Sequence, residues 1–305
     1  MFISYAQNFE DVILWRALKD IPNGFYIDVG AQDPFVDSVS KGFFDHGWRG
    51  MHAEASAYYV GKLRAARPGE HVEHAAIGTS SKAIDFFEIG DTGLSTGDPD
   101  VMEKHRLDGR QIERVQVRSA PLSYLFDQAG NRDIHWLKID VEGMEKSVID
   151  SWGPSLARPW IVVVESTLPN TQTPSYEEWE PVLLSLGYSF AYFDGINRFY
   201  VSGEHPELGR HFGAGPNLFD HFKLADSSIF NLNKNDHILN VAGDLSTVNE
   251  RVMRLEAINE ELRSGQTEIM SALRDSIFHL NEKIDGIRND NTSYLLKIAR
   301  YVRGR

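Results

Sequence analysis

Cysteine is absent from all 305 residues. That excludes a disulfide scaffold, thiolate metal sites and a cysteine nucleophile. Long apolar runs are also missing. None approaches the ~18 residues of a membrane-spanning helix, so no transmembrane segment is expected. Basic residues are scarce, with 31 Lys and Arg against 44 Asp and Glu and a net charge of -13. Nucleic-acid binding relies on Lys and Arg neutralising phosphates, so this balance argues against a nucleic-acid partner. The opening MFISYAQNFEDVILWRALKD mixes charged and polar residues with apolar ones from the start. It does not read as a secretory signal, and a cytoplasmic location is the expectation.

What is present suits a folded chain: 42% hydrophobic and 25% charged residues, enough to bury a full core. The two ends differ. All 12 prolines and all 6 tryptophans precede Asn233. From Asn233 onward basic and acidic residues balance at 11 each, so the acidic excess lies wholly in the first part. Gly213-Ala214-Gly215-Pro216-Asn217 marks the approach to a linker. The division expected is a domain over 1–222, a linker over 223–235 and a tail over 236–305.

In the tail, Val241, Leu245, Val248, Val252, Leu255, Asn259, Leu262, Gln266, Ile269 and Leu273 alternate spacings of four and three. Ile277 then follows by four where three was due, a stutter that locally unwinds a supercoil. The register resumes through Leu280, Ile284, Ile287, Asn291, Tyr294, Ile298 and Tyr301. This predicts a coiled coil of roughly 90 Å. Asn259 and Asn291 fall at a positions, where buried Asn tends to specify a parallel dimer. A helix folded back onto the domain is the alternative. Gly243, Gly265 and Gly286 each weaken the helix by about 1 kcal/mol relative to Ala. The basic end with Lys297, Arg300, Arg303 and Arg305 reads as a solvated helix end, with contact to an acidic partner or membrane face as the alternative.

The first part alternates strand-like and helix-like segments. Phe25–Val29, Met51–Glu54, Val72–Ile77, Ile134–Asp140 and Ile161–Val164 with Glu165 read as strands, and Ala57–Ala66 as a helix. Tyr188–Phe193 and Arg198–Val201 read as a hairpin around Asp194-Gly195. Largely apolar strands separated by helices predict an α/β sheet covered on both faces.

Two places carry chemistry. The first strand ends Asp28-Val29-Gly30-Ala31, which puts a carboxylate and a side-chain-free turn at the carboxyl edge of the sheet, where ligands bind. Glu54 ends the next strand, where an acid can accept both hydroxyls of a ribose. Gly-x-Gly-x-x-Gly is missing, so a pyrophosphate has no evident cradle. That disfavours a nicotinamide dinucleotide and favours a nucleoside ligand without phosphates. The second place is Lys138-Ile139-Asp140-Val141-Glu142-Gly143. Strand alternation puts Lys138, Asp140 and Glu142 on one side, an arrangement costly unless solvated or paired. Glu165 ends the neighbouring strand. A plain Lys138–Asp140 salt bridge, with Glu142 capping a helix from Met144, is the competing structural expectation.

Taken together, Tyr26-Ile27-Asp28-Val29-Gly30-Ala31, Glu54, Ala75-Ala76-Ile77-Gly78, Lys138-Ile139-Asp140-Val141-Glu142-Gly143 and Val163-Val164-Glu165 resemble the FkbM family of S-adenosylmethionine-dependent methyltransferases. Ser4 to Asp11, Gly93-Leu94-Ser95-Thr96 and Asp194 to Val201 are similar to it as well. The resemblance covers about residues 3–222. It implies a seven-stranded, Rossmann-like class I methyltransferase sheet and O-methylation of a hydroxyl on a sugar, glycan or related small molecule. It implies that Asp28, Gly30 and Ala31 line the methionine end of the cofactor, with Gln32 beside them. Glu54 then holds the ribose, and Ala75 and Ala76 border the adenine. Gln32 and Pro34 stand where the family usually has Asn and Gly, and His74 where Asn is common.

Methyl transfer needs the acceptor oxygen held near the methyl carbon and its proton removed. Asp140 is the first candidate base, with Lys138 and Glu142 beside it. His105 is a rival, though it reads as a surface residue of a polar helix. A divalent cation held by Asp140, Glu142 and Glu165 is chemically reasonable but not favoured, and no metal is expected. Gly90–Gly97 reads as a mobile loop that could close over an acceptor. Two other classes stay open: a nicotinamide oxidoreductase, and an inactive methyltransferase-like protein that acts through its coiled coil.

Overall fold

The computed structural model describes residues 1–90, 92–169, 171–231 and 234–303, and the chain divides into two units, Met1–Asn233 and Lys234–Arg305. The first unit opens with β1 (Phe2–Ser4) and α1 (Glu10–Leu18). An alternating run follows: β2 (Phe25–Val29), α2 (Val39–Asp45), β3 (Arg49–Glu54), α3 (Ala57–Ala66) and β4 (His71–His74). The chain then leaves the sheet through β5 (Ala76–Ile77), β6 (Ile84–Glu88), α4 (Pro99–Leu107), β7 (Glu113–Val117), β8 (Ser119–Ala120) and α5 (Leu122–Ala129). It returns as β9 (Trp136–Ile139), α6 (Glu145–Asp150), β10 (Ile161–Glu165) and α7 (Glu180–Ser185). The hairpin β11 (Tyr188–Phe193) and β12 (Asn197–Ser202) precedes a last short strand, β13 (Phe222–Leu224).

Seven strands form the central sheet in the order β11-β12-β10-β9-β2-β3-β4. β10, β9, β2, β3 and β4 pair in parallel, while β12 is antiparallel to both its neighbours. The sequence explains why this sheet is internal. β2 is FYIDV and β10 IVVVE, and all of β2 and four of the five residues of β10 are buried. Such continuous apolar runs fit strands covered on both faces. Alternation sends Ile27, Val29, Leu137, Ile139, Val162 and Val164 to one face, against Leu122, Leu125, Val148 and Leu183 from the helices there. Tyr26, Trp136, Ile161 and Val163 go to the other, against Ile13, Leu14 and Phe43. Each such side chain contributes about 1.5–3 kcal/mol by leaving water. α5 shows the helical counterpart: Leu122, Leu125, Phe126 and Ala129 are its buried stripe, and Gly130 at φ 67° ends it.

Two boundaries differ from the sequence expectation. Val72–Ile77 is not one strand. After β4 the Ala75 N–H donates to Glu54 O (3.1 Å), while the Ala76 N–H turns to Arg118 O (3.0 Å) and begins a separate pairing of β5 with β8. The domain also does not end at 222, and the linker does not begin at 223. Phe222, Lys223 and Leu224 pair in parallel with Phe2, Ile3 and Ser4, and the Ala225 N–H donates to Ser4 O (2.8 Å). Phe230 stacks on Phe9 at 5.1 Å between ring centroids.

The second unit is one helix, α8 (Lys234–Arg303), 70 residues long and so about 105 Å at 1.5 Å per residue. It continues through Gly243, Gly265 and Gly286. Val252, Leu255, Leu262, Ile269, Leu273, Ile277, Leu280, Ile284 and Ile298, all on the heptad seam, are exposed. Val241, Leu245, Val248, Ile287, Asn291, Tyr294 and Tyr301 lie outside the residues whose side chains are described. Among the described residues no helix is long and apolar enough to cross a membrane.

Candidate active site

β2 lies between β3 and β9. The chain runs from β2 to β3 and β4 on one side, then crosses to β9 on the other. A crevice forms at the carboxyl ends of strands where the winding reverses. Gly30 makes the crevice narrow enough to matter. Its φ is 83°, and a Cβ there would stand 1.7 Å from the Asp140 carbonyl oxygen. No side chain fits that approach. The Asp140 N–H donates to Val29 O (3.0 Å) and the Gly30 N–H to Ala53 O (2.9 Å), tying three strand ends together.

One compartment, a cleft, opens over the ends of β2 and β3. Its walls are mainly apolar: Val29, Ala53, Ala75, Ala76, Ile77, Phe86 and Met144. Glu54 is its buried carboxylate. One oxygen accepts the Gln32 N–H (2.9 Å) and the other the Ser56 N–H (2.8 Å), so each keeps a further lone pair. Burial raises the Glu54 pKa, opposed by the backbone N–H groups of Ser56 and Gln32. Tyr59 on α3 closes the cleft, with its hydroxyl reaching Thr92 O (3.4 Å) and receiving Gln32 Nε2 (3.3 Å). The loop after β6 is anchored on both sides. The Ile89 N–H donates to Ser95 Oγ (3.0 Å), and Thr96 Oγ1 donates to Glu142 O (2.7 Å).

The second compartment, about 840 Å³, is polar. Gln7, Glu10, Asp37 and Lys138 line it, with Ala31 and Leu94. It shares Gly30, Gln32, Gly93, Asp140 and Glu142 with the first, so the two adjoin along this row. Lys138 is buried and donates to Asp140. Burial works to lower its pKa, but the charges of Asp140, Glu10 and Asp28 outweigh that and raise it. Glu10 is held by the Asn8 N–H (2.8 Å) and Asn197 Nδ2 (3.0 Å). Asp194 accepts the Ile196 and Asn197 N–H groups and Asn8 Nδ2 donates to its carbonyl (3.1 Å). The motifs at the two ends of the domain, 4–11 and 194–201, therefore meet behind Glu10. Burial pushes the Glu10 pKa up to about 7, against the nearby Lys138 charge.

Beyond Lys138 the carboxylates gather. Val164 pairs with Ile139 in the parallel register, so the next residues, Glu165 and Asp140, stand side by side at the strand ends. Glu142 follows at φ 53°. One carboxylate oxygen from each of Asp140, Glu142 and Glu165 lies within 4.8 Å of the others. Glu142 does not cap α6 as expected. Its side-chain Oε2 accepts no hydrogen bond among the described residues, and Glu145 instead takes the Val141 (3.1 Å) and Gly143 (3.2 Å) N–H groups. Burial, then Asp140 and Glu145, push the Glu142 pKa up to about 9. Burial with Asp140, Glu142 and Glu145 raises that of Glu165 well above the usual range.

Of the residues singled out in the sequence, Gly30, Gln32, Glu54, Ala75 and Ala76 line the first compartment, and Ala31 and Lys138 the second. Gly30, Gln32, Asp140 and Glu142 line both. Asp28 lines neither. It is buried one pleat below the turn, between its register partners His52 and Lys138, with His52 Nδ1 at 3.9 Å. The expectation that it faces a ligand does not match this placement. His105 is buried in α4 rather than exposed, and it lines neither compartment, which removes it as a base. Glu10, Asp37 and Tyr59 were not anticipated.

The sequence matches the methyltransferase FkbM domain over residues 28–190. That match spans more than half of the chain, which therefore belongs to the FkbM methyltransferase family. No curated protein matches it. Among solved structures, a TehB-like SAM-dependent methyltransferase from Corynebacterium glutamicum ATCC 13032 Kitasato is similar over 63% of this chain and 86% of that one. The identity is 8% and the TM-score 0.36, too distant a likeness to argue from.

Proposed function

We propose that this methyltransferase uses S-adenosylmethionine to methylate a hydroxyl of a sugar, a glycan or a related small molecule, on a Rossmann-like class I sheet. The observation that carries the reading is the pair of adjoining compartments, one mainly apolar with Glu54 buried in its wall, the other polar, meeting at Gly30, Gln32, Asp140 and Glu142. The first suits a nucleoside. Glu54 keeps lone pairs for two ribose hydroxyls, and Ala75, Ala76, Ile77 and Phe86 offer an apolar slot for adenine. Among the described residues its lining holds no Lys or Arg to meet a pyrophosphate, which counts against a nicotinamide dinucleotide.

When bound, S-adenosylmethionine supplies an electrophilic methyl group on a sulfonium. The chain's own residues do the rest. Gly30 and Gln32 shape the opening between compartments. Glu10, Asp37 and Lys138 give the acceptor's hydroxyls hydrogen-bonding partners and hold one oxygen in line. Asp140 would take the hydroxyl proton as that oxygen accepts the methyl group. Burial and the neighbouring Asp140 raise the Glu142 pKa, which makes Glu142 the less available base. The experiment is incubation with methyl-labelled S-adenosylmethionine and a glycan extract. Label on a sugar hydroxyl supports the reading. Cofactor binding without transfer to any extract favours a domain that acts through its tail instead.

The tail belongs to the same proposal. The exposed seam of α8 has Asn259 at an a position, and pairing with the same helix of a second copy removes that seam from water. A parallel dimer is the assembly this arrangement favours.

A further inference from the structure

We propose that Asp140, Glu142 and Glu165 hold one hard divalent cation, of the Mg²⁺, Mn²⁺ or Ca²⁺ class, where the two compartments adjoin. This reverses the expectation of no metal and goes beyond the methyl-transfer reading. It stands on three independent features.

The first is geometry. One oxygen from each carboxylate lies within 4.8 Å of the other two. Oxygens facing each other across a Ca²⁺ ion are about 4.6–5.2 Å apart, and across Mg²⁺ about 4.0–4.2 Å, from bond lengths of 2.3–2.6 and 2.0–2.1 Å. All three can reach one ion with sub-ångström to ångström side-chain adjustments. The strand register fixes two of them, since Glu165 and Asp140 end adjacent parallel strands. The second feature is unmet valence. The Glu165 carboxylate is buried, and its Oε2 is enclosed and accepts no hydrogen bond among the described residues. Glu142 Oε2 is likewise enclosed and without a partner. A buried acceptor left unmade is costly, and here two belong to carboxylates of one cluster, the kind of donor set a cation site uses.

The third is charge. Lys138 donates to a single oxygen of Asp140, Oδ2, and its charge is also met by Glu10 and Asp28. The three carboxyl groups face one ammonium, which Glu10 and Asp28 share, so a divalent ion would offset an excess of acidic groups here. The donors are all oxygen, which selects Mg²⁺, Mn²⁺ or Ca²⁺ over softer metals. Asp140 and Glu142 line both compartments, so an ion here has access to solvent and to an acceptor hydroxyl.

The test is a Mn²⁺ titration of the full chain, followed by electron paramagnetic resonance of the free ion, with S-adenosylhomocysteine affinity measured on the same samples. One Mn²⁺ per chain, displaced by Mg²⁺ or Ca²⁺, is expected. Glu165→Gln and Glu142→Gln should each weaken it at least tenfold, and Glu165→Gln, at a residue that lines neither compartment, should leave S-adenosylhomocysteine affinity within a few-fold. Asp45→Asn, a surface carboxylate paired with Lys41, should leave it unchanged. Two ligand variants keep the test open if one fails to fold. No bound Mn²⁺ at millimolar concentration overturns the proposal, and so does Mn²⁺ binding that neither ligand variant weakens. Loss of S-adenosylhomocysteine binding by the unaltered chain would instead count against the cofactor reading, whatever Mn²⁺ does.

Discussion

Glu54 is the most exacting place to perturb the cofactor reading, because its two oxygens have two jobs. Each already accepts a backbone N–H, at 2.9 Å from Gln32 and 2.8 Å from Ser56. Glu54→Gln replaces one oxygen with an NH₂ that must face one of those N–H groups. That unmade bond costs about 1–3 kcal/mol of stability. It also removes one acceptor for the ribose, and hydrogen bonds to a charged group are worth roughly 1.5–3 kcal/mol. At about 1.4 kcal/mol per factor of ten, S-adenosylhomocysteine should bind roughly 10- to 150-fold more weakly. The assay is calorimetry with S-adenosylhomocysteine, run well below the unfolding midpoint measured on the same preparation. A lowered midpoint with an unchanged Kd would refute the reasoning. Glu54 would then be only a brace for the turns at Gln32 and Ser56.

Three further outcomes follow from the geometry. Gly30→Ala puts a Cβ 1.7 Å from the Asp140 carbonyl at a φ of 83°; the strain alone costs about 1–3 kcal/mol, so both the thermal midpoint and cofactor affinity should fall, and calorimetry showing neither would mean the strand ends are looser than described. Asp140→Asn keeps the shape but removes the proton acceptor, so turnover on a labelled acceptor should drop about 10²-fold or more with little change in S-adenosylhomocysteine affinity; near-normal turnover would place the base elsewhere. A chain ending at Asn233 should be a folded monomer that binds cofactor, whereas one ending at Lys223 cuts through β13 and should be less stable; light scattering showing a monomeric full-length chain at micromolar concentration would defeat the pairing of α8.

Much of the fold was written locally. Phe25–Val29 and Ile161–Glu165 are apolar runs with clear turns before them, and Ala57–Ala66 is a helix with the bounds its pattern predicts. What escaped was non-local. β1 and β13 are three residues each and pair across more than 200 residues, so neither carries a pattern of its own. β6 and β7, an antiparallel pair partly open to solvent, have mixed side chains that resemble loop. His105 sits among Lys104, Arg106 and Asp108, yet it shares a face with Val101 one turn earlier, and that face is buried. The site divides the same way. Asp140, Glu142 and Glu165 were legible because strand ends gather charges and the register follows from the strands. Glu10 was not, since the residue that holds it, Asn197, lies 187 positions away. Asp28, one pleat before the turn, is buried beside His52 and Lys138 and lines neither compartment.

The central claim is that the crevice at Gly30 and Glu54 takes S-adenosylmethionine. It is tested most directly by titrating the full chain with S-adenosylhomocysteine and, separately, with NADH, and reading heat per injection. The account predicts saturable one-to-one binding of S-adenosylhomocysteine and none of NADH. Binding of NADH alone, or of neither, would contradict it.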